Sequence, residues 1–469
     1  SFWVAVFIGL VVILGLLIGT IYGVTNSSRS STSQDRVPTE PTQSSPVALP
    51  TQSPSPSPTA APTSIEDGLL DSLQTLLPES LVNAISESET PQARAYSWLV
   101  KSDGFPSFGP IQRLQRYALA VLYYTTSGPS WLNNDGWLSD EPECDWHSQL
   151  NQPTCTTDGK LTSLALISNG LSGSLPVEMR LLTHLKDLFL YENSLNGTIP
   201  LEEWKDGLSQ NLATLQLGSN LFSGTLPSVL GEFTSLISIE LESLALGGTI
   251  PTEMGLLTKM LELLMIDCEL EGTVPTEIEA LENLAFLVLS DNRLTGTPLS
   301  TLEKMTGLLG IVLDNNAFRG TMGSDFGELA GLEELSLGGN SFSGVIPSEF
   351  GLLSNTIEVF LGSNSFTGMV PSELGNMQQL VVLSLSDNLL VGSIPVEMFQ
   401  IPILSWILLD SNRLTGTIPT EIGRALNFAN VQLSDNLLTG PIPSEIGQLA
   451  VLESLGLQDN AELSGTIPS

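Results

Sequence analysis

A glutamate stands two residues after a proline at Glu178, Glu202, Glu253, Glu277, Glu349, Glu373, Glu397, Glu421 and Glu445. Carboxylates in register are the usual material of general acid–base chemistry, which needs a proton donor and an acceptor on opposite sides of a reacting bond. A column of equivalent glutamates one repeat apart supplies neither a unique partner nor a pocket. In "PTEIG", residues 419–423, Glu421 instead falls in the first turn of a short helical segment that Thr420 is placed to cap, where the helix dipole favours an anion. The column therefore reads as helix-start electrostatics. Other reactive types are sparse: the two histidines, His147 and His184, have no second histidine or cysteine at ligand spacing, so zinc chemistry is not expected. There is no dinucleotide fingerprint, metalloprotease helix, P-loop or kinase motif set. The sequence reads as non-enzymatic, with no cofactor and no metal.

What positions these residues is a pattern, LxxLxLxxNxLxGxIP, that governs the chain from Leu161 onward. Its asparagine column runs Asn169, Asn193, Asn220, then Leu244 and Cys268 as substitutes, then Asn292, Asn316, Asn340, Asn364, Asn388, Asn412, Asn436 and Asn460; eleven of the twelve intervals equal 24. The leucines alternate as in a short strand with one buried face. In "LSWILLD", Leu404, Ile407 and Leu409 point into the coil, while Trp406 and Leu408 point out. Stacked repeats pair such strands into one parallel sheet. The asparagines bond to backbone groups freed where each strand turns, forming a ladder. Glycine permits the tight turn, and Ile-Pro fixes the return path. One coil cannot close a core, but thirteen stacked coils bury a continuous one. Cys268 reads as an inert ladder substitute that accepts burial. Three extra residues near "EEWKDGLSQ" predict a bulge around Trp204, serving contact or packing.

Upstream of the repeats the composition changes three times. Residues 2–24 carry no charge, and a helix of that length spans roughly 34 Å, enough to cross a bilayer. Residues 1–24 are therefore expected as a transmembrane anchor; a cleaved signal peptide needs a basic start and a small-residue cleavage site. The start at Ser1 without methionine and the end at Ser469 just after Ile-Pro look like cuts from a longer chain, so the basic flank that orients the anchor falls before Ser1. Residues 25–64 hold eight prolines among many Ser and Thr. Such a segment cannot offset its ordering entropy and predicts a disordered, O-glycosylated stalk, with Asn26 in "NSS" as an N-glycan acceptor. Residues 65–160 show three helical blocks, Ile65 to Ile85, "PQARAYSWLV" and "IQRLQRYALAVLYYTT", which predict a small helical cap. Three cysteines allow one pair and one free thiol. Cys144 and Cys155, eleven residues apart just before the first repeat, are paired here as one disulfide in an oxidising compartment; the alternative is two reduced cysteines in a cytosolic cap.

The 469 residues carry 51 Asp plus Glu against 16 Lys plus Arg, a formal net charge of −35. Nucleic acid is excluded as a partner, because phosphate binding needs a basic face. The acidity itself suits a solvated, self-repelling surface.

Over residues 161–469 these motifs resemble the plant-type leucine-rich-repeat family. The resemblance implies an α/β solenoid, a right-handed leucine-rich-repeat superhelix with a parallel concave sheet and a second strand at the "GTIP" segment. The block from Trp131 to Cys155 is similar to that family's amino-terminal cap, although "CDWHSQLNQPTC" is longer than "CxWxGVxC" and lacks its Gly-Val. The segments "TPQARAYSWL" and "RYALAVLYYTTSG" look most like membrane-anchored repeat proteins of diatoms and related algae. Plant receptor kinases place the repeats before the membrane helix; here they follow it.

Function in such a solenoid falls on outward strand positions, which the core does not need. The central outward column reads Ala165, Phe189, Gln216, Glu240, Leu264, Val288, Val312, Ser336, Phe360, Ser384, Leu408, Gln432 and Gly456. Apolar residues gather at Leu261, Leu264, Ile266, Phe286, Val288 and Val312, with Phe360, Trp406 and Leu408 further along. A contiguous apolar patch marks a contact surface, the plain alternative being β-propensity. The pattern's departures, Leu244, Cys268, the inverted Pro298-Leu299 and Gly323 in place of proline, fall in the same repeats. Beside the ladder runs an acidic edge: Asp267, Asp291, Asp314, Asp387, Asp410, Asp435 and Asp459. A partner with apolar anchors and basic flanks would match. Asn196 in "NGT" is a second glycan acceptor, on the convex side. The expectation is a single-pass, membrane-anchored recognition protein with extracellular repeats, receptor-like, binding a peptide or protein ligand on the concave face. The alternatives are an adhesion or polysaccharide-binding wall protein, and an inhibitor of secreted hydrolases.

Overall fold

The computed structural model describes residues 65–146 and 154–466; the expected anchor (1–24), the stalk (25–64) and Asn26 lie outside the described residues. Among the described residues no helix is long and apolar enough to cross a membrane.

Four helices open the described chain: α1 (Ile65–Leu76), α2 (Glu79–Ala84), α3 (Pro91–Lys101) and α4 (Pro110–Thr125). The first helical block is split in two at Pro78, which has no N–H to donate and whose ring clashes with the preceding turn. α3 starts on Thr90, whose Oγ1 accepts from the Ala93 N–H at 3.0 Å, with Pro91 in the first helical position. α4 is buried along most of its length and carries Arg116 into the interior, 3.1 Å from Glu143. A buried ion pair needs hydrogen bonds to its remaining polar atoms to offset desolvation, and here the Arg116 Nη1 and Nη2 find them while Nε does not. Gln112 and Gln115 donate to the same carboxylate, and the guanidinium lies over the rings of Phe108, Trp146 and Trp98 at 4.5, 5.0 and 5.5 Å. Trp137 packs against Trp131 and Trp146 with ring centroids 4.7 and 5.2 Å apart. Cys144 and Cys155 form the disulfide beside this aromatic cluster, with Cα atoms 5.7 Å apart.

The cap joins the coil by continuing its hydrogen bonding. The Leu161 N–H donates to Gln115 Oε1 at 2.7 Å, and Asn169 exchanges bonds of 2.7 and 2.9 Å with the backbone of Asn133. Beyond this point, thirteen strands from Ser163–Ala165 to Ser454–Gly456 form one sheet in chain order, every neighbouring pair parallel, as the 24-residue period requires. Their inward residues fill a single core; Leu404, Ile407 and Leu409 are buried as the alternation predicts.

Asn412 shows how a coil is closed. Its Nδ2 donates to the carbonyls of Leu385, Leu409 and Asp410 at 2.9, 3.2 and 3.1 Å, and its Oδ1 accepts from the Leu390 N–H at 3.0 Å. One side chain thus satisfies backbone groups of two successive coils, which would otherwise be buried unpaired. The residue before the ladder position sits in the left-handed region in nearly every coil, for example Asp267, Asp291 and Ser411 at φ 50°, 56° and 54°.

A second set of strands begins just after the asparagine, as in Arg293–Gly296, and in several coils runs into the first residues of the "GTIP" segment, as in Glu271–Thr273, Ala317–Thr321 and Ser341–Val345. The ladder has to end before the proline, which cannot donate to it. The return path is then a 3-10 turn. In Thr420–Arg424 the cap position is Pro419, with no side-chain cap bond; the Thr420 hydroxyl donates to the neighbouring Glu421 carboxylate at 3.4 Å, so Thr420 is not a cap. The glycine of this turn has a second reason to be there. A Cβ on Gly351 would stand 2.3 Å from the carbonyl oxygen of Glu373 in the next coil, so the turns nest only because glycine lacks one. Where the extra residues occur, the turn becomes a helix, α5 (Leu201–Leu208), and Trp204 is fully buried with its Nε1 donating to the Pro176 carbonyl at 3.1 Å. The bulge is packing, not a contact surface.

Replacing Asn292 by leucine should leave five backbone groups without their partner: the carbonyls of Met265, Leu289 and Ser290 and the N–H groups of Cys268 and Leu270. A loss of about 3 kcal/mol or more in denaturant unfolding is expected; a loss under about 1 kcal/mol would show that the ladder does not hold the coil.

Candidate functional site

Strand alternation puts every second residue of the large sheet on its outward face, and cross-strand register stacks them into columns. The central column is the one the sequence predicts, paired rung by rung from Ala165↔Phe189 through Leu264↔Val288↔Val312↔Ser336↔Phe360 to Gln432↔Gly456. Two flanking columns accompany it. One runs Ser238, Glu262, Phe286, Gly310, Glu334, Glu358, Val382 and Trp406; the other, two residues later in each coil, includes Glu242, Ile266, Ser290, Asp314 and Asp410.

The predicted apolar patch is only partly a surface. Val288 and Val312 are each 1% exposed and Leu264 9%, closed over by neighbouring outward side chains. The Phe286 ring covers the gap at Gly310, where a Cβ would come within 2.7 Å of its Cδ1. Half-exposed apolar groups remain at Ile266, Phe286, Phe360, Trp406 and Leu408. Leu261 stands one residue before its strand, outside the three columns. The structure therefore brings Ile266, Phe286 and the buried valines together and leaves Phe360, Trp406 and Leu408 as a second group several strands away.

The acidic edge divides in two for a backbone reason. Asp267, Asp291, Asp387, Asp435 and Asp459 hold the left-handed position before the ladder residue, at φ between 50° and 57°. Asp, Asn and Gly tolerate that region best, so their recurrence needs no ligand. Asp314 and Asp410 belong to the outward face itself. Asp314 accepts from Ser336 Oγ at 2.6 Å and the Gly338 N–H at 2.8 Å, and Asp410 accepts from Ser386 Oγ at 2.5 Å. The pattern's departures also have local explanations: Cys268 is sealed, with its Sγ 3.1 Å from the Leu241 carbonyl and burial pushing its thiol up to about 12. Gly323 stands where a Cβ would meet Glu303 Oε2 at 2.5 Å. Asn196 is exposed on a strand of the second set.

Sequence reading of the central column alone missed four carboxylates. Glu262, Glu334 and Glu358 lie in the preceding column and Glu242 in the following one, a signal recoverable by applying the same alternation two residues to each side. Burial raises Glu240 to about 7, helped by the charges of Glu262 and Glu242. Burial likewise raises Glu334 to about 8, with Glu358 and Asp314 adding to it, and raises Asp314 to about 6. Glu242, Glu262 and Glu358 are raised as well, first by burial. Of the proline-linked glutamates, Glu178 is buried against the cap, which raises it, and Gln92 Nε2 donates to it at 2.8 Å.

The fold and this strand face can be set beside known proteins. Residues 282–342 match the family described as leucine rich repeat. Over 84 residues, 18% of this chain, the sequence is 42% identical to Receptor-like protein kinase 7 of Arabidopsis thaliana, of which that stretch covers 8%. The solved plant peptide hormone receptor RGFR1 in complex with RGF2 is similar at 32% identity and a TM-score of 0.62, over 66% of this chain and 49% of that one. The Arabidopsis receptor kinase HAESA ectodomain in complex with an IDA peptide hormone is similar at 31% identity and a TM-score of 0.58, over 65% of this chain and 52% of that one. This chain thus spans about half of those receptor structures and a small part of the kinase. It carries a parallel-strand leucine-rich-repeat solenoid behind a helical amino-terminal region. Both of these structural neighbours are plant receptors solved with a peptide hormone.

The raised carboxylates fix a sign. Each keeps its proton to higher pH in the folded than in the unfolded chain, so the folded state binds more protons between about pH 4.5 and about pH 8, and stability falls as pH rises through that window. Glu334→Gln should remove part of that slope and stabilise the fold at about pH 8 by about 1–2 kcal/mol relative to about pH 5. Denaturant unfolding at the two values checks it; a difference of zero, or a loss at the higher pH, contradicts the assignment.

Proposed function

We propose that the solenoid is the ligand-binding part of a membrane-anchored, receptor-like protein, and that it takes a peptide or protein in extended form across the outward face of the large sheet. The observation that carries this reading is the set of half-buried apolar side chains on the outward face of one unbroken sheet, Ile266 with Phe286 and, several strands on, Phe360, Trp406 and Leu408. A monomer seldom leaves such groups on one face unless something covers them. Thirteen strands at ~4.8 Å spacing make a track of roughly 58 Å, long enough for an extended peptide. The receptor ectodomains solved with peptide hormones support the same ligand class.

The protein acts by binding, not by catalysis: its recurrent glutamates occupy one equivalent position after the proline, and six of the nine accept from the hydroxyl of the residue just before them, as Glu421 does from Thr420. Residues 1–24 serve as the anchor, and the disulfide and the acceptors Asn26 and Asn196 favour an extracellular position for the repeats.

The test avoids Val288, because an aspartate buried there would unfold the coil. Phe286→Asp with Leu408→Asp should lower by at least about tenfold the affinity of peptides selected on the intact chain from a displayed random library. The thermal midpoint should fall by only a few degrees. Undiminished binding by a folded double variant would place the ligand elsewhere.

A further inference from the structure

Two groups of carboxylates bracket the apolar middle of the outward face. On one side Glu240, Glu242 and Glu262 occupy adjoining strands; on the other Glu334 and Glu358 are direct cross-strand partners, with Asp314 beside them. Among the described residues, none of the seven ion pairs reaches any of these six carboxylates. Carboxylates on neighbouring strands, largely removed from water, repel one another as they ionise, which works against the free protein. Between the groups, Ser290 follows Val288 in the outward set, flanked by Ile266 and Asp314; it is 6% exposed and its Oγ has no hydrogen-bond partner. A buried hydroxyl without a partner is costly, so this stretch of the face is not arranged for stability alone.

Resting on the reading that this face takes a peptide, we infer that its occupant is an extended basic peptide with two Arg or Lys residues four positions apart around an apolar one. One cation meets Glu240 and Glu262, the other meets Glu334 and Glu358, and the apolar residue lies on Phe286. The spacing follows from the register. Glu262 and Glu334 are three strands apart through Phe286 and Gly310, and three steps of ~4.8 Å give roughly 14 Å. An extended chain covers about the same distance in four residues, and its residues i, i+2 and i+4 point to one side. Bidentate guanidinium–carboxylate bonding favours Arg over Lys at both ends. A second copy of this chain is a poor occupant, since each copy carries a net charge of −35. Opposite charge also raises the association rate, an effect that salt screens.

The experiment selects linear random peptides on the intact chain and measures their affinity for three proteins: the parent, the Phe286→Asp variant, and a Glu262→Gln, Glu334→Gln variant. The glutamines keep size and shape, and a thermal melt confirms that the variant folds. The expected peptides carry two basic residues four positions apart, weaken at least about tenfold on the double glutamine variant, and lose affinity with added salt. Peptides that depend on Phe286 yet show no basic pair, and bind the glutamine variant equally well, would overturn the basic-peptide assignment while leaving the outward face as the binding site. Peptides indifferent to Phe286 would overturn both.

Discussion

Everything in this solenoid depends on how each coil turns at the end of its strand. The turn strips backbone donors and acceptors from the sheet ladder inside a dry core, where an unpaired polar group costs on the order of 1–3 kcal/mol. One asparagine answers that demand for its own coil and the one before, as Asn412 does with Leu385, Leu390, Leu409 and Asp410. Because each asparagine ties two coils together, extra residues are admitted only away from the turn, as between Asn193 and Asn220, where they form α5 and the ladder bonds persist. Substitutes are tolerated only if they bury cleanly, which Leu244 and Cys268 do. The price is borne by the preceding residue, forced to φ near +50°, and the composition of that position follows.

With the interior and the turns so constrained, variation is left to the outward columns. There the chain places phenylalanine, tryptophan and valine next to carboxylates that burial holds partly protonated. The half-buried carboxylates do not help the coil to close, whereas Val288 and Val312, each 1% exposed, add apolar burial to it. Positions the repeat does not dictate are where such a fold is free to vary.

Much of the fold was legible in the sequence because the rule repeats: the thirteen strands, the burial of Ile407 and Leu409, the exposure of Trp406 and the inert thiol of Cys268 all follow from one motif. What the motif could not reveal depends on contacts between coils. The burial of Val288 and Val312 needs neighbouring side chains in their actual rotamers, including the Phe286 ring over Gly310. The glycine of "PTEIG" looks like a helix stop until the backbone of the next coil is seen against it. The acidic edge looked like one feature because aspartate serves two purposes, a left-handed turn at Asp291 and an outward hydrogen bond at Asp314. The short second strands stop within "GTIP", before its closing proline, for a reason the sequence did contain, that residue's missing N–H.

Cys268 has a further consequence. The other two cysteines are oxidised to each other, so this thiol is the single chemically addressable sulfur, and it sits at the fifth of thirteen coils with no exposed surface. In a linear array each coil contacts only its neighbours, and opening at one point does not require melting the whole. A thiol reagent added to the native protein can react only while that coil is unzipped. The chain thus carries its own internal clock for the breathing of its middle, next to the strands that hold Ile266 and Phe286.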